Sequence, residues 1–163
     1  MTTSRSKVKT EGKARKKPIP SNIKKICLQN FQRLRRLEEK NVDDLERCIS
    51  CGKPLHWKQM QGGHFISRTC EATCIEHDNV WPQCASCNCY KSGNYSRYRY
   101  NLVKKIGEDK VKRLEYMEAA SYGDEWAMEQ LDPMDRYEVQ RKKGKVYWYE
   151  KNEEFKRRIK ELE

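Results

Sequence analysis

The sequence predicts an α+β protein in which helical segments flank a small centre stapled by metal rather than by a large apolar core. Three observations predict it. Leu, Ile, Val and Phe number 27 of 163 residues while the formal net charge is +11, a pairing typical of chains that bury too little apolar surface to fold unaided. Seven of the eight cysteines and all three histidines fall between residues 48 and 94. Outside that stretch apolar residues recur at helical spacing; inside it they do not.

In chain order, the 163 residues leave room for one domain with extensions. Residues 1–20 hold seven basic residues and one acid, Glu11, and read as a disordered basic arm closed by Pro18 and Pro20. Residues 21–46 form an N-terminal helical segment. Ser21 is placed to cap it, and Ile23, Ile26, Cys27, Phe31, Leu34 and Leu37 mark its apolar face over about 22–39, with an extension to 46 in reach. Residues 47–94 are the compact centre. Residues 95–163 are helical again: Tyr98, Leu102, Val103 and Ile106 give one face ending at Gly107, and Asp109 is placed to cap a helix carrying Val111, Leu114 and Met117. Gly123-Asp124 and Pro133 mark restarts, and Trp148, Phe155, Ile159 and Leu162 stripe a last helix.

Thirty-five Lys and Arg against 24 Asp and Glu favour a polyanionic partner, most simply nucleic acid. No run approaches the ~20 apolar residues of a membrane span, and the N-terminus has no apolar signal-peptide core. The expected setting is a reducing cytoplasm without membrane attachment, where closely spaced thiols hold metal rather than disulfides.

Cys48-Ile-Ser-Cys51 and Cys84-Ala-Ser-Cys87 are two C-x2-C knuckles separated by 32 residues. A tight turn at that spacing lets both sulfurs of a knuckle converge, and four thiolates close a tetrahedral shell suited to structural zinc. Gly52 fits the turn after the first knuckle. Metal binding would supply the stability the core lacks. Of the other thiols, Cys27 reads as a small core residue and Cys89 as packing or exposed. Cys70 and Cys74, with His77, lack an evident fourth ligand.

Between and after the knuckles stand Gly62-Gly63-His64-Phe65, then Asp78-Asn79-Val80-Trp81-Pro82-Gln83-Cys84, then Cys87-Asn88-Cys89-Tyr90-Lys91-Ser92-Gly93-Asn94. This order resembles the zinc-bearing HNH, or His-Me finger, endonucleases. Within them it looks most like the NinG (Rap) recombination family of lambda-type phages, over roughly residues 44–120. The resemblance implies a ββα-metal core, in which a hairpin and a helix clasp one catalytic divalent ion while a four-cysteine zinc braces the scaffold. It also implies a nuclease acting on branched DNA such as Holliday junctions or D-loops, in the host cytoplasm if phage-encoded. Recombination proteins and a homodimer are the further partners expected.

Phosphodiester hydrolysis needs a base for water and positive charge for the phosphorane and leaving oxygen. In this frame His64 is the base, titrating near the operating pH. Asn79 orients that imidazole or fixes its loop through the amide. Asn88 offers a carbonyl oxygen to Mg2+ or Mn2+, and Lys91 meets a phosphate. Gly63 stands where many of these enzymes carry an Asp ligand, so the ion is expected to bind appreciably only when DNA supplies a phosphate oxygen, with Asp78 a substitute ligand if it reaches. Arg97 and Arg99, interleaved with Tyr95, Tyr98 and Tyr100, suit phosphates and exposed bases, and Arg68 is a further DNA-binding candidate. The competing reading is a non-catalytic zinc module that binds branched or single-stranded DNA; a duplex-sequence reader lacks a recognition-helix signature.

Overall fold

A computed structural model describes residues 18–163. All but the last three residues of the expected basic arm lie outside the described residues.

Helix α1, Ile23–Glu39, buries Ile23, Cys27, Phe31, Leu34 and Leu37. It starts after Asn22 with no side-chain cap, so Ser21 does not cap it. Nor does it reach 46: Lys40 is extended, and the Asn41 side chain accepts from the backbone N–H of Asp43 and Leu45 at 3.0 and 2.9 Å. That local bond offers the backbone an alternative to continuing the helix. Strands β1 (Leu45–Arg47) and β2 (Pro54–His56) pair antiparallel around the first knuckle.

Strands β3 (Met60–His64) and β4 (Val80–Cys84) form a second antiparallel pair, with Gly63 opposite Trp81 and His64 opposite Val80. Short turns at Ser86–Tyr90 and Ser92–Asn94 lead into α2, Tyr95–Ile106. Helices α3 (Glu108–Ser121), α4 (Glu125–Gln130), α5 (Pro133–Gln140) and α6 (Lys145–Leu162) complete the chain. The mixture of helices with two small two-stranded sheets agrees with the α+β expectation.

The β3–β4 pair is the middle layer. Successive strand residues face opposite ways, and Val80 and Trp81 enter different clusters. Val80 joins Phe31, Leu34, Trp148, Phe155 and Ile159 between α1 and α6. Trp81 joins Phe65, Tyr98, Leu102, Leu114 and Met117 between α2 and α3. Helix α6 runs parallel to α1, because their contacts ascend together: Lys24 over the Trp148 ring, Asn30 bonded to Asn152 at 2.7 Å, Arg158 paired with Glu38. Leu162, expected in that buried stripe, is 40% exposed; the stripe ends at Ile159 and has Asn152 in its middle.

Side-chain chemistry sets the other helix starts. Asp124 and Asp132 accept from the N–H of Ala127 and Asp135, each at 2.9 Å, and Pro133 opens α5. Asp109 is not a cap, since α3 already begins at Glu108. It lies in the first turn, where its charge favours the helix dipole. No helix among the described residues is long and apolar enough to cross a membrane.

Candidate functional site

The four knuckle cysteines converge. The sulfurs of Cys48, Cys51, Cys84 and Cys87 all lie within 4.8 Å of one another, the one such group among the described residues. The Cys51 and Cys84 sulfurs are 3.8 Å apart, the edge of a tetrahedron whose centre lies about 2.3 Å from each sulfur, as in zinc thiolate sites. The first knuckle closes with the Gly52 N–H donating to the Cys48 carbonyl at 2.8 Å, at a φ of +74° that favours glycine. On α2, Asn101 donates to the carbonyls of Ile49 and Ser50 at 2.8 and 3.1 Å, tying the knuckle to the helix. Burial pushes the Cys48 thiol up to about 12 and raises Cys87 as well, so a cation is what makes these thiolates stable. The cluster could thus hold a structural metal such as zinc.

Among the described residues the other thiols do not assemble a second centre. Cys27 is fully buried between α1 and α6. Cys70 meets the Ser121 hydroxyl at 3.4 Å and Cys74 donates to the Glu71 carbonyl at 3.5 Å. His77 instead faces Glu38 and Arg158. Cys89 is exposed.

His64 ends β3, half-buried, with its Nε2 2.9 Å from the Cys74 carbonyl oxygen. A carbonyl only accepts, so Nε2 carries the proton and Nδ1 keeps its lone pair. Burial holds the imidazole pKa below its usual value; the Cys74 bond opposes this, and the Arg68 charge adds to it. The bond orients the ring, and burial favours its neutral form. Asn79, fully buried, does not orient the ring directly. Its Oδ1 accepts from the Ile66 N–H at 2.6 Å, and its Nδ2 donates to the carbonyls of Ile66 and Thr73 at 3.1 and 2.9 Å. Of the two roles open to it, the structure shows the brace: it ties the loop carrying Cys74 to the exit of β3.

Gly63 has no room for an acid. A Cβ there would fall 2.8 Å from the Gln83 Cβ and closer still to its Oε1. Gln83 is itself fully buried, donating to Ser50 at 2.7 Å and to the Gly93 carbonyl at 2.5 Å. Asn88 donates to the Gln61 side chain at 2.6 Å, which leaves its Oδ1 for a ligand. Gln61 precedes His64 by three strand residues, roughly 10 Å along β3. Asp78 is not a substitute ligand: it pairs with Lys110 of α3 at 3.4 Å, and its carbonyl accepts from Trp81. Around the hairpin the donors are therefore amides, and a preformed Mg2+ or Mn2+ site does not fit these residues.

The candidate DNA contacts divide. Lys91, Arg97 and Arg68 are exposed and make no ion pair among the described residues. Arg99 does not join them: its guanidinium grips Glu115 at 2.7 Å and Glu108 at 3.0 Å on α3. Tyr98 is also structural, buried with its hydroxyl donating to the Gly63 carbonyl at 2.9 Å, whereas Tyr100 is exposed beneath Lys104. Sequence reasoning missed Gln83 and the Cys74 carbonyl. Neither carried a sequence signal: Gln83 faces Gln61 across the hairpin and reaches Gly63 only diagonally, and a backbone acceptor carries none.

A family model described as Bacteriophage Lambda NinG protein matches residues 2–154. Over 70 residues, or 42% of this chain, it is 40% identical to "Protein ninG" of Escherichia phage 933W and 39% identical to that of Escherichia phage lambda. The corresponding protein of Salmonella phage P22 is 40% identical over 70 residues. The matched stretch spans about a third of the length of these relatives. No solved structure matches the chain.

Proposed function

The chain belongs to the bacteriophage lambda NinG family, and from that premise we propose that it is a structure-selective DNA endonuclease of HNH type, cutting branched recombination intermediates. The observation that carries this reading is the His64–Cys74 bond, which leaves Nδ1 as a neutral base at the rim of a metal-braced hairpin. In this reading β3, β4 and the helical turns after them form the ββα unit, and the four cysteines hold zinc.

His64 takes the proton of the water that attacks phosphorus, and its Nε2 stays bonded to the Cys74 carbonyl as the ring becomes cationic, which stabilises that form. Asn79 keeps the carbonyl in place. Arg68 offers positive charge near the base, and Lys91 and Arg97 hold flanking phosphates. A divalent ion, when present, would offset charge on the phosphorane, but the hairpin offers it no carboxylate. DNA therefore brings the oxygen ligand that Gly63 cannot supply.

A second reading, a zinc-braced module that binds branched DNA without cutting it, is favoured by Gln83 filling the Asp position. Incubating a labelled four-way junction and its matched linear duplex with Mg2+, Mn2+ or neither separates the two. Metal-dependent cutting stronger on the junction supports the nuclease. Tight junction binding without cutting in either metal favours the module.

A further inference from the structure

Lys25, Gln29, Gln32 and Arg36 recur at i, i+4, i+7 and i+11 on α1, a narrow polar stripe beside the apolar face that packs on the hairpin. From Ile23 to Leu37 this helix carries five cations and no acid. The stripe lies along β3. A Cβ on Gly62 would come 2.7 Å from the Gln32 Cβ, and Arg36 donates to the Met60 carbonyl at 2.9 Å. Across from the stripe stands Arg68, and between them runs a groove of about 470 Å³ lined by Lys24, Lys25, Leu28, Gln29, Gln32 and Arg68. Lys24 is engaged by Glu71, whereas Lys25 and Arg68 have no acidic partner among the described residues.

We propose that this groove is the track that leads one DNA strand to His64, with α1 rather than α2 supplying its outer wall. The inference rests on the nuclease or DNA-binding reading of the hairpin and deepens it by naming where the strand lies. The groove wall from Lys25 to Gln32 is about 10 Å long, enough for two or three phosphates of a strand. Lys25 at one end and Arg68 on the opposite wall meet phosphates, while Arg36 holds the helix to the Met60 carbonyl. The two glutamine amides donate to phosphate or sugar oxygens, which positions a strand without reading its sequence. The floor is partly apolar at Leu28, which suits a sugar face. Arg68 follows His64 by four residues, so the groove wall it forms adjoins the end of β3 where the base stands.

The test is equilibrium binding of the zinc-loaded full chain to a labelled four-way junction across a salt series, without Mg2+ or Mn2+. Wild type is compared with Lys25→Gln/Arg68→Gln, with Lys112→Gln/Lys160→Gln, and with Gln29→Lys. Both double variants remove two exposed charges, so a bulk-charge effect is the same in each. The groove predicts that the first double variant binds at least tenfold more weakly, with the log–log salt slope reduced by about 2. It also predicts that the second stays near wild type and that Gln29→Lys binds more tightly. Equal losses in the two double variants, or an unchanged groove variant while wild type binds well, overturn the groove and leave the nuclease reading standing. A wild type that binds no DNA of any shape overturns both.

Discussion

The Nε2 of His64 lies 2.9 Å from the carbonyl oxygen of Cys74, and this one bond fixes which nitrogen can act as a base. Its consequence in solution is a pH profile. Because burial holds the folded pKa below the usual histidine value, the imidazole takes up its proton at lower pH than a free histidine does. Cleavage should therefore be flat across neutral pH and fall on an acid limb centred below that value. A limb centred above pH 7 in the wild type would remove His64 as the base.

Asn79→Ala should destabilise the fold by about 2–4 kcal/mol, since it strips three bonds from buried backbone groups. Because Asn79 holds the loop that carries the Cys74 carbonyl, the variant should also lower the cleavage rate more than it weakens DNA binding. Denaturant midpoints measured beside single-turnover rates check both. A loss confined to catalysis, with wild-type stability, would mean that Asn79 acts on substrate rather than as a brace.

Cys84→Ser should cost the metal and the cooperative melt together, because Cys84 is both a member of the thiolate cluster and the last residue of β4. Metal analysis and a thermal scan suffice. A variant that retains stoichiometric zinc and melts like wild type contradicts the four-cysteine centre.

Arg97 and Arg99, two residues apart, should behave differently. Arg97→Gln is expected to weaken DNA binding several-fold and leave the melting temperature within error. Arg99→Gln breaks the grip on Glu108 and Glu115. It should cost about 1 kcal/mol of stability, discounted for its partial exposure, and leave the salt dependence of DNA binding unchanged. Equal binding losses for the two would mean that Arg99 leaves its glutamates for phosphate.

Much of this arrangement is legible in the sequence. The knuckles could be read because C-x2-C spacing is itself a geometric statement about where two sulfurs point, and α1 because Cys27, Phe31 and Leu34 keep helical period. What the sequence hid was mostly tertiary. Arg99 looked like a phosphate contact because its glutamates are nine and sixteen residues away on another helix. The Asn41 turn that stops α1 depends on a side chain reaching back to the main chain. Asp78 looked available because Lys110 is distant in sequence. The absence of an acid at position 63 was visible, but its reason, the Gln83 side chain filling that space, appears only when β3 and β4 are in register.

His64 as the base of a DNA-cutting hairpin is tested by junction cleavage by His64→Ala beside wild type, in Mg2+ and in Mn2+, with zinc content and junction affinity measured on the same samples. The variant is expected to keep its zinc and bind the junction within about threefold of wild type, yet to cut at least 100-fold more slowly in both metals, within the range that removing a general base costs. Cutting by His64→Ala at the wild-type rate would contradict it.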